Sequence, residues 1–156
     1  MSAFTPEQEK ALRAWTSRYP APIMGLGEAL RQVQEWHRCV TDEDEEHLAK
    51  LFDVPRARIH EVATFFPSYT RKPTGRHRIG LCRGLSCSLA GSKEMCACLE
   101  KKLGIKEGET AADGRFSFEA MECLGACDQG PALLVNDELR GVATEESISG
   151  LLEELK

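Results

Sequence analysis

The chain has 156 residues and a formal net charge of −5, with 42% hydrophobic and 29% charged residues. That is enough apolar material for a packed core, which excludes disorder over most of the length, and an acidic chain is a poor general binder of nucleic acid. No apolar run approaches the roughly 18 residues of a membrane span. The strongest, Val62 to Phe66, stops at Pro67, and the N-terminal stretch Met1 to Glu7 has neither the basic region nor the apolar segment of a secretory signal. The expectation is a soluble cytoplasmic protein of one domain or two small ones, with no nucleic-acid partner and no direct membrane insertion.

The first sixty-odd residues predict helices. Thr5-Pro6-Glu7-Gln8 combines an N-cap hydroxyl, a proline at the first helical position and a glutamine placed for a capping box. Ala11, Leu12 and Trp15 follow at helical spacing, and Tyr19-Pro20 ends the segment. A second helix is expected over 26–36, with Leu26, Leu30 and Val33 on one face. Thr41 before Asp42-Glu43-Asp44 marks a third start, its acids placed to meet the positive end of the helix dipole. The acidic run 42–46 reads as a solvated turn. Pro55 predicts the first position of a fourth helix through Ile59, Val62, Ala63 and Phe66. Each helix carries one narrow apolar stripe, so residues 1–70 are expected to form a helical bundle, most naturally a docking domain.

Pro67, Pro73 and Gly75 then break the periodicity among Arg71, Lys72, Arg76 and Arg78, as a linker would. Arg78 to Leu81 predicts a strand running into Cys82. Ser92 is placed to cap a helix over 93–103, closed by Gly104. Phe116 to Met121 alternates with period two, and Ala132 to Val135, the turn Asn136-Asp137 and Leu139 to Val142 predict a hairpin. Thr144-Glu145-Glu146 starts a last helix through Ile148, Leu151, Leu152 and Leu155. The fold class is α/β: a helical bundle followed, from about residue 75 to 156, by a domain with a small mixed sheet.

Seven cysteines set the chemistry. Seven is odd for a disulfide framework, and in a reducing compartment so many thiols are more often metal ligands, redox groups or small buried hydrophobes. Cys39 stands alone, while Cys82, Cys87, Cys96, Cys98, Cys123 and Cys127 share the second half. Two pairs each follow a predicted strand: Cys82 and Cys87 with spacing C-x₄-C, and Cys123 and Cys127 with spacing C-x₃-C. Loops at the ends of neighbouring strands can lie side by side, and each has a central glycine that lets backbone N–H groups approach a sulfur-rich centre. Four thiolates suit an iron–sulfur cluster or zinc.

The spacings discriminate. Zinc knuckles favour C-x₂-C. A plant-type ferredoxin needs a third cysteine soon after Cys87, where Ser88 and Leu89 stand, and the bacterial two-cluster run is missing. None of His37, His47, His60 or His77 closely follows a cysteine as in a Rieske centre, and there is no C-x-x-C for disulfide exchange. One [2Fe–2S] cluster on Cys82, Cys87, Cys123 and Cys127 survives this elimination. A structural zinc module on the same cysteines and a thiol–disulfide oxidoreductase using Cys96 or Cys98 are the rival classes.

Cys82-x₄-Cys87, an intervening helix, Glu122-Cys123-Leu124-Gly125-Ala126-Cys127 and the run Pro131 to Asn136 closely resemble the thioredoxin-like [2Fe–2S] ferredoxins. More narrowly, they are similar to the small iron–sulfur subunit of the NADH-dehydrogenase module of respiratory complex I and its relatives in NAD-linked formate dehydrogenases and hydrogenases. Glu61 to Phe66 looks like the segment that precedes the ferredoxin domain in that family, so the resemblance runs from about Thr5 to Leu155. It implies a thioredoxin-like fold without disulfide chemistry, the four cysteines as cluster ligands, and docking beside a flavoprotein subunit that holds FMN and NAD(P)(H), with a further iron–sulfur subunit in the same complex. Such a complex could lie on the cytoplasmic side of a membrane. Gly130 stands where the family would place a small residue such as alanine. With no glycine-rich dinucleotide fingerprint of its own, the chain is expected to be an electron carrier rather than a complete enzyme.

The remaining residues have plainer readings. Cys96 and Cys98 fall in one predicted helix with side chains about 200° apart, so they cannot chelate together and are assigned to packing. Cys39 and the four histidines are assigned to packing or surface. Between Arg56 and Arg83 seven basic residues face one acid, Glu61. Arg83, inside the first cysteine loop, is the best placed to favour the reduced state of a cluster, and Arg83→Ala is expected to lower its potential.

Overall fold

The computed structural model describes residues 4–155; Met1 to Ala3, where the N-terminal stretch begins, and Lys156 lie outside it. The chain divides into two compact units, residues 1–73 and 74–156.

The first unit is helical: α1 (Pro6–Thr16), a 3₁₀ turn (Pro22–Gly25), α2 (Leu26–His37), α3 (Asp42–Phe52) and α4 (Arg56–Phe65). The capping boxes form as the sequence predicts. Thr5 Oγ1 accepts from the Gln8 N–H while Gln8 Oε1 accepts from the Thr5 N–H, and Thr41 and Asp44 do the same. Leu12, Leu30, Val33, Leu48 and Ile59, one or two from each helix, are fully buried in a single cluster. Pro55 is extended and serves as the N-cap, so α4 begins one residue later than expected.

The acidic run does not form a solvated turn. Asp44 and Glu45 are buried, and Glu45 is the hub of an ion cluster. It accepts from Arg56 Nε at 3.0 Å and Arg71 Nη1 at 2.5 Å, and lies 2.9 Å from His60 Nδ1. Asp42 also pairs with Arg56 and Arg71, and His37 Nδ1 lies 2.9 Å from Asp44. A carboxylate is taken out of water because cations from α4 and from the chain beyond it replace its hydration. Two of the four histidines are therefore partners of buried acids, and Arg56 and Arg71 belong to this cluster rather than to an unpaired basic patch.

The second unit contains β1 (His77–Cys82), α5 (Leu85–Leu89), α6 (Ser92–Leu103), β2 (Phe116–Met121), a 3₁₀ turn (Cys127–Gln129), β3 (Ala132–Val135), β4 (Glu138–Val142) and α7 (Glu145–Glu154). The sheet order is β2-β1-β3-β4, with β1 and β2 parallel and the other neighbours antiparallel. Parallel neighbours need a crossover, and α6 provides it. Ile79, Leu81, Phe116, Phe118, Leu133 and Val135 alternate along their strands and share one core with Leu99 of α6 and Ile148 and Leu151 of α7. Thr144 caps α7.

Two features depart from expectation. The first cysteine loop contains the short helix α5, which carries Cys87. Ser92 is not the cap of α6, whose N-cap is Gly91. Ser92 is buried and its hydroxyl donates to the Cys82 carbonyl at 2.5 Å. It ties the crossover helix to the end of β1. Among the described residues no helix is long and apolar enough to cross a membrane.

Candidate metal centre

Parallel pairing aligns the two cysteine loops. Cys82 is the last residue of β1 and is in register with Met121, the last of β2. The ladder runs one step further, where the Arg83 N–H donates to the Met121 carbonyl at 2.8 Å. Cys123 follows two residues on, so both chains turn away from the sheet at the same edge. α5 then brings Cys87 back, and the 3₁₀ turn begins at Cys127.

All seven cysteines are free thiols. Cys82 and Cys87 are buried in a small cluster with Ala132, against which Leu124 and Ala126 pack, whereas Cys123 and Cys127 are exposed. The Cys87 and Cys123 thiols both help to favour the ionised form of Cys82. Cys87 in turn feels the charges of Cys82 and Cys127.

Backbone N–H groups point at the sulfurs. Gly84 N–H donates to Cys82 Sγ and Gly125 N–H to Cys123 Sγ, each at 3.4 Å. The Leu124 backbone also favours the Cys82 thiolate, and the Ala132 backbone the Cys87 thiolate. The glycines permit this approach. A Cβ on Gly84 would lie 3.3 Å from Cys123 Cβ and 3.4 Å from Cys82 Sγ, and Gly125 has a left-handed φ of 76°. A larger residue at 84 would push the two loops apart.

The thiols respond to this crowding. Burial pushes the Cys82 thiol up, but the N–H groups of Leu124 and Gly84 and the neighbouring thiols outweigh it, and it ends below its ordinary value. For Cys87 the Ala132 N–H pulls down, but burial and the Cys82 and Cys127 sulfurs prevail and the thiol is raised. Cys82 and Cys87 resist ionising together, and a cation between them, as a metal group supplies, removes that conflict. Among the described residues no group of three His, Cys, Asp or Glu side chains is already spaced to hold a single ion. The thiols come as two pairs from two loops, and a two-iron cluster takes four thiolates shared between its irons. The donor set and its N–H cradle fit such a group.

The other sulfurs stand apart from this arrangement. Cys96 and Cys98 pack, half-buried, against the sheet core, and Cys39 is buried in the helical unit. A cavity of about 500 Å³ in the helical unit is lined by Glu46, Lys50, Asp53 and Arg56, among others, and by no cysteine. Arg83 is not an isolated cation: its Nη2 lies 2.5 Å from Glu122 Oε1 and its Nη1 4.0 Å from Glu107. Sequence reasoning picked out Arg83 and missed its partners, although Glu122 immediately precedes Cys123.

A small mixed sheet whose two parallel strands end in neighbouring cysteine loops presents a candidate thiolate metal centre on an α/β scaffold. A family model described as thioredoxin-like [2Fe-2S] ferredoxin matches residues 12–156. The chain is 34% identical over 145 residues to the second E-type subunit of the NADH-quinone oxidoreductase of Rhizobium meliloti (strain 1021), covering 93% of this chain and 86% of that protein. It is 36% identical over 149 residues to the E-type subunit of the NADH-quinone oxidoreductase of Escherichia coli (strain K12), covering 96% and 90%. It also superposes on a chain of an NAD⁺-reducing [NiFe]-hydrogenase solved in the H₂-reduced state, with a TM-score of 0.73 and 26% identity, covering 84% of this chain but 22% of that one. The chain belongs to the thioredoxin-like [2Fe–2S] ferredoxin family.

Proposed function

We propose that this chain holds one [2Fe–2S] cluster on Cys82, Cys87, Cys123 and Cys127 and carries single electrons as the small subunit of a flavin-containing, NAD(P)(H)-linked oxidoreductase. The observation that carries this reading is the meeting of the loops at Gly84, where an added Cβ would lie 3.4 Å from Cys82 Sγ in its own loop and 3.3 Å from Cys123 Cβ in the other. When bound, the cluster supplies one-electron redox chemistry. The chain's residues do the rest. The four sulfurs ligate, and the N–H groups of Gly84, Leu124, Gly125 and Ala132 favour added negative charge. Burial of Cys82 and Cys87 keeps water from one side, while exposed Cys123 and Cys127 leave the other side open to a partner.

FMN and NAD(P)(H) belong to a flavoprotein partner in this reading, and a further iron–sulfur subunit takes part in the relay. The names of the relatives, an oxidoreductase subunit and an NAD⁺-reducing hydrogenase, support a place in such an assembly. The helical unit serves as the docking domain, and the complex works in the cytoplasm.

Anaerobically purified protein should contain about two irons and two acid-labile sulfides per chain, silent in EPR when oxidised and spin-half after dithionite. Cys→Ser at any of the four ligands should abolish or reshape that signal, whereas Cys96→Ser and Cys98→Ser should keep it. Zinc in place of iron would assign the same cysteines to a structural module. A metal-free protein that turns over a disulfide substrate would make it a thiol–disulfide oxidoreductase.

A further inference from the structure

We propose that Arg83 and Glu122 form a charge-compensated clamp across the two cysteine loops, holding them together while cancelling each other's effect on the cluster potential. The inference rests on the cluster assignment above and extends it to residues that are not ligands. Arg83 follows Cys82 and Glu122 precedes Cys123, so the pair bridges the loops one residue from a cysteine on each side. Arg83 Nε and Nη2 both donate to Glu122 Oε1, at 3.1 and 2.5 Å. Glu107 lies 4.0 Å from Arg83 Nη1, so this one cation answers two carboxylates.

Each charge alone would bias the cluster. A cation beside a group that becomes more negative on reduction favours the reduced state, and an anion disfavours it. Because opposite charges sit at matching positions on the two loops, their fields at the sulfurs oppose. The clamp therefore joins two loops whose separation fixes the ligand set without committing the site to a high or low potential. That contrasts with the simple expectation for Arg83 as a lone cation.

The test is a double-variant cycle on the cluster-loaded protein, read by EPR-monitored redox titration and by iron release to a ferrous chelator. Arg83→Gln should leave Glu122 and Glu107 uncompensated and lower the reduced-to-oxidised ratio at fixed ambient potential by about three- to tenfold. For a one-electron couple that is about 30–60 mV. Glu122→Gln should shift it by a similar factor in the opposite direction, and the double variant should return near the parent. Arg83→Lys keeps the charge but not the two-pronged donor, so it should hold the potential and release iron faster. Single variants that shift the potential in the same direction, or not at all while their cluster spectra stay normal, would overturn the clamp. A parent protein that takes up no iron would overturn the cluster assignment and the clamp together.

Discussion

Glu45→Gln isolates the charge of the buried acid in the helical unit, because the amide has nearly the same shape as the carboxylate. Removing one partner from a buried ion pair costs about 3–5 kcal/mol when the other is left without water. Here the remaining cations are not stranded: the Arg56 and Arg71 side chains are 39% and 31% exposed and keep Asp42 as a partner. The expected loss therefore falls below that range, at about 2–3 kcal/mol. With a urea slope of about 1.5 kcal/mol per M, the unfolding midpoint should fall by about 1–2 M. The assay is built into the chain. Its two tryptophans, Trp15 and Trp36, both lie in the helical unit, so intrinsic fluorescence follows that unit. The visible absorption of the cluster follows the other unit. A fluorescence midpoint within about 0.3 M of the parent would refute the argument that Glu45 organises the bundle.

Three further outcomes are expected. Gly75→Ala would bring a Cβ to 2.5 Å from the Phe116 carbonyl carbon and 2.8 Å from the Ser117 nitrogen, both backbone atoms. Overpacking against backbone should cost about 3 kcal/mol and lower the Tm followed by circular dichroism by about 10 °C or more; an unchanged Tm would show that the strand yields. Gly130→Ala should instead be neutral or stabilise by up to about 1 kcal/mol with the cluster spectrum intact. A Cβ there meets Cys87 Sγ at 3.5 Å and Ala90 Cβ at 3.7 Å, ordinary contacts. Lastly, burial raises the thiols of Cys39 and Cys96, with Asp44 adding to the first and Glu100 to the second. Because the thiolate is the reactive form, their alkylation should be slow at pH 7–8 and accelerate only at higher pH than for an ordinary thiol, as peptide mass mapping would record. Rapid modification of either at neutral pH would contradict this.

Much of the fold follows from short-range rules. The Thr5, Thr41 and Thr144 caps, the hairpin turn at Asn136-Asp137 and the period-two run from Phe116 each depend on residues within a few positions of one another. The same is true of the cysteine pairs, whose spacing and preceding strands are written in consecutive residues. Ser92 misled because a serine before a helix has two uses for its hydroxyl. Nothing nearby in sequence reveals that the Cys82 carbonyl, ten residues back, would take it. The helix inside the first cysteine loop was equally silent, since five residues are too few to show a periodic stripe.

By itself, the sequence determined most of the element types, the spacing of the two cysteine pairs and a family resemblance over nearly the whole chain. Only tertiary structure decided which charges are paired. Glu45 meets Arg71 across 26 positions and Arg83 meets Glu122 across 39. A side chain's local neighbours state its charge, but its hydration, and so its role, depends on which distant segment the fold brings against it.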